Sequence, residues 1–507
     1  MHRRARILFL GLDAADRNLI LQWCDEGFLP VLSALLARGL SSETSNPRGL
    51  YTGAVWPSFH TGVQPGRHGA YFYRQLVPGT YHSASMTSDA VDGHPIWSLA
   101  DRAGLRAAVI DLHMAPMVTG FSGLHVSDWG IHDPSGPFKT SPRSLAADLV
   151  RRFGGDPVGS CDFYPRDLAG YLSLRDALIA RIELKTKMVC HYLGNDRWDL
   201  FMAAFADAHC AGHQFWSLHD PTHPRHDPAI AAALGDALRD VYVALDRAVG
   251  CILEHVESDT TVFVLASHGM AAHYDGTFLL DWILQRLEGA DRKPGRPAID
   301  GLQRSWHRVP GAVRRHFTPV ADYVYDRLKA SGRARRKAFV VPTNDNCAGV
   351  RFNVVGREPS GKIAMGAEYD AFFEALSGDL AEIRNVETGQ PLVHEVIRSS
   401  ETFPGPHSHE LPDMLVRWNR SAPIRVVSSP KIGTLEQDYQ GRRTGDHRNP
   451  GLFIATGPGV GPRRLERPVD VTDFAPTFAS LLGIDCGEVD GRPIREICGI
   501  ERTVPIL

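Results

Sequence analysis

Three hydroxyl groups, Thr52, Ser58 and Thr61, stand in the glycine- and proline-rich stretch 49–69, beside Trp56, His60 and His68. A threonine in such a stretch ordinarily serves a turn or a cap, and it becomes a nucleophile only where a neighbour activates it. Four other places carry groups able to do so. Asp13 ends the apolar run Arg6–Leu12. His209 and His213 lie four residues apart in ADAHCAGHQFW, a spacing that on a helix lets both imidazoles share an ion. Ser267 and His268 follow TVFVLA, and His447 stands just before GLFIAT. One histidine alone is ordinarily a surface or hydrogen-bonded residue. Four such groups at predicted strand ends carry more weight, because a parallel sheet brings its strand tips to one edge. Imidazole nitrogen and carboxylate oxygen suit Zn²⁺ or a similar dication. Two such ions about 3.5–4 Å apart form the clamp used for in-line displacement at phosphorus, and they would make Thr52 a competent nucleophile at neutral pH.

The elements that must position these groups alternate between strand and helix. Buried strands are expected at 6–12, 106–112, 198–205 and 261–266, with later ones at 349–355, 414–418 and 452–455. Residues 16–39 read as a helical stretch broken at Pro30 and stopped at Gly39. Leu238, Val241, Leu245, Val249 and Ile252 mark one face of a long helix before the strand at 261. The alternation predicts an α/β fold with helices on both faces of the sheet. Between Arg292 and Lys337 there are 13 Lys or Arg against 3 Asp, and the α/β rhythm is interrupted there. The expected organisation is therefore a catalytic domain formed by 1–290 and 340–507, with a basic cap or lid inserted at 291–339. Such a segment is either a solvated helical insertion or an aid in attracting an anionic substrate.

Composition narrows the class. With 507 residues, 22% charged and 43% hydrophobic, the chain has an ordinary globular balance and length enough for a large core. A net charge of -3 gives no reason to expect nucleic acid or an anionic membrane. The eight cysteines show no CxxC spacing, which speaks against a disulfide or zinc-ribbon framework and for reduced thiols. The N-terminal apolar run meets two carboxylates within a few residues, unlike a signal peptide, and no run approaches the ~18 residues of a membrane span. A cytoplasmic location without a membrane partner is expected; nothing in the chain marks an oligomeric state.

The ordered set of motifs resembles the type I phosphodiesterase/nucleotide pyrophosphatase branch of the alkaline phosphatase superfamily. Thr52 is followed at the family's spacing by Thr61-Gly62, Pro65 and His68-Gly69, with Trp56 between. GLDAAD around Asp13, the segments VRFNVVGREPSG and LPDMLVRW, and the tail DVTDFAPTFASLLGI extend the likeness from about residue 5 to 495, apart from the basic segment. The resemblance implies an α/β/α sandwich around a mostly parallel sheet. It implies Thr52 as nucleophile, Asp13, Thr52 and His268 at one metal, and His213 and His447 at another. Two positions depart from the pattern. Ser267 stands where the family has Asp before His-Gly-Met, and His209 stands where an Asp usually precedes His213, with Asp207 as a nearby substitute. These changes remove two negative charges and predict weaker or altered binding of one or two divalent ions, Zn or Mn.

The implied activity is metal-dependent hydrolysis of phosphodiester or pyrophosphate bonds in a small anionic substrate, with Asn344 and Asn346 as further candidates for substrate contact. A phosphomonoesterase, a phosphonate hydrolase or a phosphoryl transferase would use the same fold. A metal-depleted, non-catalytic ligand-binding member is the reading from another class. A sulfatase is disfavoured, since no C/S-x-P-x-R motif occurs at the nucleophile position.

Overall fold

In the strand Arg6–Leu12, Ile7 and Phe9 enter one apolar cluster while Leu8, Leu10 and Leu12 enter another, so the sheet is buried on both faces. This computed structural model describes residues 5–132, 136–289 and 330–499. Five parallel strands form the centre of a ten-stranded sheet, in the order Thr260–Ala266, Arg6–Leu12, Leu200–Phe205, Ala107–Ile110, Leu124–Ser127. Gly451–Thr456 joins antiparallel beside Thr260–Ala266, and Lys139–Ser141 closes the other side, also antiparallel. Helices cover both faces, giving the α/β/α sandwich that the resemblance implies. The stretch 16–39 is two helices, Arg17–Asp25 and Pro30–Arg38, with Pro30 at the first helical position, where its missing N–H costs nothing. The apolar face expected around Leu238–Ile252 lies on the helix Ala237–Leu253 and packs into the cluster of Leu8, Leu10 and Leu12.

Two of the later strands sit outside the central sheet. Cys347–Phe352, shorter than the expected 349–355, and Met414–Trp418 belong to a separate four-stranded antiparallel sheet with Ala338–Val341 and Val393–Arg398. The helices Thr277–Leu287 and Ala367–Ala381 cover it through Ile283, Phe373 and Leu380. Residues 290–329, most of the basic segment read as an insertion, lie outside the described residues. Its expected end at 339 falls inside Ala338–Val341, so the small sheet begins before the segment was expected to finish. All eight cysteines are free thiols. Among the described residues no single helix is long and apolar enough to cross a membrane.

Three histidines are locked neutral in the core. Burial pushes His60 and His68 down to about 3 and His125 to about 4. His68 accepts from the Ala70 amide at Nδ1 (3.0 Å) and donates from Nε2 to Ser58 Oγ (2.9 Å), which makes it a brace of the glycine-rich stretch. A folded-state pKa below the unfolded value of about 6.5 favours folding above pH 6.5, and that contribution is lost as the pH falls toward 3–4. Between pH 7 and 5 each of the three should therefore cost about 2 kcal/mol of stability. Urea unfolding followed over this range checks it; a midpoint that does not move would contradict the neutral assignment.

Candidate active site

The five parallel strands point their C-terminal ends at one edge, and the candidate groups follow those ends. Asp13 comes directly after the first strand. His209 and His213 lie on the helix Asp207–His219 that leaves Leu200–Phe205, and Ser267 and His268 follow Thr260–Ala266. His447 arrives from elsewhere in the chain. Its strand, Gly445–Arg448, pairs antiparallel with Gly269–Ala272 and sets His447 opposite Met270, beside His268. The ring of His447 stands 4.7 Å from those of His209 and His268 and 5.0 Å from that of His213.

Thr52 opens the helix Thr52–Thr61 and lines a cavity of about 330 Å³. Gly53 lets this helix lie against the chain at Phe72, since a Cβ there would come within 2.4 Å of the Phe72 Cα. Of the three hydroxyls in the stretch, Ser58 is bound to His68 and Thr61 donates to the Pro57 carbonyl at 2.6 Å. Only Thr52 of the three lines the cavity, and the positive end of the helix dipole favours an anion there. Its Oγ1 lies 3.3 Å from His268 Nε2. His268 Nδ1 is 2.9 Å from Ser267 Oγ, so with Nδ1–H donating to Ser267, Nε2 accepts from Thr52. The serine in place of the expected aspartate thus orients His268 by accepting from Nδ1, and as a neutral hydroxyl it is a weaker ligand than a carboxylate.

Asp13 is fully buried and heavily engaged. Oδ1 accepts from Trp56 Nε1 (2.9 Å), and Oδ2 accepts from His209 Nδ1 (2.6 Å). Burial works against the carboxylate, but the imidazoles of His113 and His209 hold its pKa well below the ordinary value. His213 donates from Nδ1 to the Gly445 carbonyl (2.7 Å). Burial lowers the pKa of His209, His213 and His447, and of His268 to about 4, so these rings are neutral near pH 7.

The hydrogen bonds fix two tautomers. A carboxylate and a carbonyl only accept, so His209 and His213 carry their protons on Nδ1 and are unprotonated at Nε2. Those two Nε2 atoms face each other at 3.1 Å. Two opposed lone pairs repel, and the arrangement calls for a positive centre beside them. His132 completes a buried group with this pair, and Asp446 completes another with His213 and His447. His447 Nδ1 is buried without a hydrogen-bond partner. The donor set of neutral imidazoles with one carboxylate matches what Zn²⁺ accepts. The residues present therefore fit a divalent cation. Arg443 Nη1 also reaches His213 Nε2, at 3.4 Å, while the same guanidinium is paired with Asp162 at 2.7 Å.

Two expected contributors are placed elsewhere. Asp207, the substitute considered for the missing aspartate, is held by buried Arg181 at 2.7 Å and lines no part of the cavity. It occupies the first helical turn, and two residues of helix separate its direction from that of His209. Asn346 donates to the His447 carbonyl at 2.8 Å and so holds that residue in place, whereas Asn344 lines the cavity. Sequence reasoning missed His113, His132, Asp446 and Arg443. His113 had a readable signal, a histidine just past the expected strand 106–112. Asp446 stood next to a residue already singled out. The far wall of the cavity is aromatic, with Phe72, Tyr73, Phe163 and Tyr439, and His273 stacks on Tyr439 at 4.0 Å between centroids.

A threonine at a helix N-terminus, beside clustered imidazoles at the strand tips of an α/β/α sandwich, is the arrangement that the sequence resemblance implies. Residues 7–451 match the type I phosphodiesterase / nucleotide pyrophosphatase family. The chain belongs to that family, a family of phosphoric-ester hydrolases. Solved structures with the same fold include a phosphonoacetate hydrolase from Sinorhizobium meliloti 1021 in complex with phosphonoacetate, at 13% identity, a TM-score of 0.53 and 95% coverage of both chains. Murine ectonucleotide pyrophosphatase / phosphodiesterase 5 aligns at 13% identity and a TM-score of 0.50, covering 96% of this chain and 97% of its own. Comparison with curated proteins by sequence finds no significant match.

Proposed function

We propose that the protein is a metal-dependent hydrolase of phosphodiester or pyrophosphate bonds and that Thr52 is its nucleophile. The observation that carries this reading is the pair of unprotonated Nε2 atoms of His209 and His213, 3.1 Å apart, in the site that also holds Thr52. His209, His213 and His447 would hold one ion tightly, and Asp13 with His268 would serve a second beside Thr52. Zn²⁺ or Mn²⁺, when bound, supplies Lewis acidity that favours an ionised hydroxyl and offsets charge on the phosphoryl oxygens.

The chain's own residues do the rest. The helix N-terminus at Thr52 favours the anionic oxygen and the phosphoryl group it attacks. In the ion-free site His268, set by Ser267, orients the Thr52 hydroxyl, and that same Nε2 lone pair would pass to the ion when it binds. Thr52 Oγ1, having released its proton to solvent, forms a bond to phosphorus as the bond to the leaving oxygen breaks; water then attacks phosphorus, freeing the phosphate and returning a proton to Oγ1. Arg442 and Arg443 line the cavity and draw in an anionic substrate, while the aromatic wall accepts an organic leaving group. That wall favours a diester over a bare monoester.

Hydrolysis of bis-p-nitrophenyl phosphate and p-nitrophenyl phosphate, with and without added Zn²⁺ or Mn²⁺, tests the assignment. The expected result is ion-dependent turnover with the diester at least ~10-fold faster, a difference of about 1.4 kcal/mol in the barrier. Faster monoester turnover would move the reading to a phosphomonoesterase. No turnover of either ester with any ion would move it to a ligand-binding member of the family.

A further inference from the structure

The residue that stands where the family pattern has a second-ion aspartate, Ser267, offers only a neutral hydroxyl, which accepts from His268. Another side chain is placed to make up the loss. His113 is 3% exposed and lines the same cavity as Thr52. Its Nε2 stands 3.1 Å from Asp13 Oδ2, in electrostatic contact with the carboxylate, but makes no well-aligned hydrogen bond among the described residues. Asp13, His113 and His209 form one of the buried groups whose ligand atoms lie within 4.8 Å of one another.

The backbone holds His113 there against a cost. Four non-glycine residues among those described have positive φ: Ala14 (53°), Asp111 (53°), Met114 (51°) and Asp128 (61°). All four follow strand ends at the site edge, and two of them bracket His113. Such conformations persist only where the surroundings over-determine them, and they concentrate at functional sites. The surroundings here are explicit. The Asp111 carboxylate accepts from the amides of Trp129 and Gly130, each at 2.8 Å, and from buried Lys185 at 2.8 Å. Lys185 in turn donates to the carbonyls of Gly130 (2.9 Å) and Ala204 (3.0 Å). The loop after the strand Ala107–Ile110 is thereby clamped with the imidazole toward Asp13.

We propose that His113 is a ligand of the second divalent ion, shared with Asp13, and replaces the carboxylate lost at Ser267. This rests on the metal-dependent reading above and adds a nitrogen ligand from a loop outside the family's pattern. The alternative role, a hydrogen-bond donor that merely orients Asp13, predicts different behaviour in the same experiment. Full-length wild type, His113→Ala and His113→Gln, freed of metal by dialysis, are titrated with Co²⁺ alone. Visible absorption and metal content after gel filtration are read, with thermal melting of the metal-free proteins as the folding control.

A ligand role predicts that both variants lose affinity for the second equivalent by more than ~100-fold, since removing a partner that only orients a ligand costs ~10–100-fold. It also predicts that the first equivalent keeps wild-type affinity in both. Rescue by His113→Gln, which restores a donor of similar reach, would overturn the ligand role, as would a second equivalent unaffected in both variants. A wild type that takes up one equivalent, unchanged in the variants, would overturn this inference and leave the proposed function standing. A wild type that binds no ion would overturn the proposed function itself.

Discussion

Thr52→Ala abolishes diester turnover while the ions remain bound. Removal of an attacking nucleophile from a comparable covalent mechanism lowers kcat by ~10⁶, and what survives reflects the remaining site acting on water, so a loss of at least ~10³-fold is expected. Thr52→Ser, which keeps the oxygen, should retain measurable turnover. The substitution is structurally mild. The first turn is held by the Ala54 and Val55 amides donating to the Tyr51 carbonyl at 2.7 and 2.8 Å, and the Thr52 side chain caps nothing. Its one hydrogen-bond partner is His268, which keeps Ser267. Activity toward bis-p-nitrophenyl phosphate and metal content are measured on the same preparation. Full activity in Thr52→Ala would remove Thr52 from the mechanism. Loss of activity together with loss of the tightly bound ion would make Thr52 a structural element of the metal site instead.

The second large effect concerns the opposed imidazoles. Chelation should destabilise the fold, because the ion offsets the repulsion between two lone pairs 3.1 Å apart in a buried site. An ion held at a thousandfold excess over its Kd contributes about 4 kcal/mol through linkage, and the whole of that should appear as a fall in the unfolding midpoint when it is removed. His213→Ala should erase the ion-dependent part of the stability and the tight equivalent with it. The metal-free variant should unfold close to metal-free wild type, since the lost packing is partly offset by relief of the lone-pair contact. Denaturant unfolding of both proteins with Zn²⁺ and with a chelator gives the four midpoints needed. Equal midpoints for wild type with and without Zn²⁺ would contradict a tight ion at this pair.

Much of this site was readable in the sequence for one physical reason. In a parallel sheet the strand tips share an edge, so a run such as RILFLGL followed by Asp13, or TVFVLA followed by Ser267 and His268, places its polar residue without knowledge of the strand order. The i, i+4 spacing likewise put His209 and His213 on one helix face. What was not readable depends on tertiary direction. Asp207 is two residues from His209 but turns toward Arg181, and nothing local distinguishes the two. The strands Cys347–Phe352 and Met414–Trp418 have the apolar character of central strands, and only the partners they find place them in the small antiparallel sheet. Ser267 could be recognised as a poor ligand from its chemistry alone, whereas its bond to His268 required coordinates. His132 and Arg443 lie on loops far apart in the chain, and meet only through the fold.

The most direct test is anomalous diffraction at the zinc edge from crystals of the full chain grown with Zn²⁺. A strong peak is expected within bonding distance, about 2.0–2.1 Å, of the Nε2 atoms of His209 and His213, with His447 as a further ligand. A protein that hydrolyses the diester but shows no peak between His209 and His213 would contradict it.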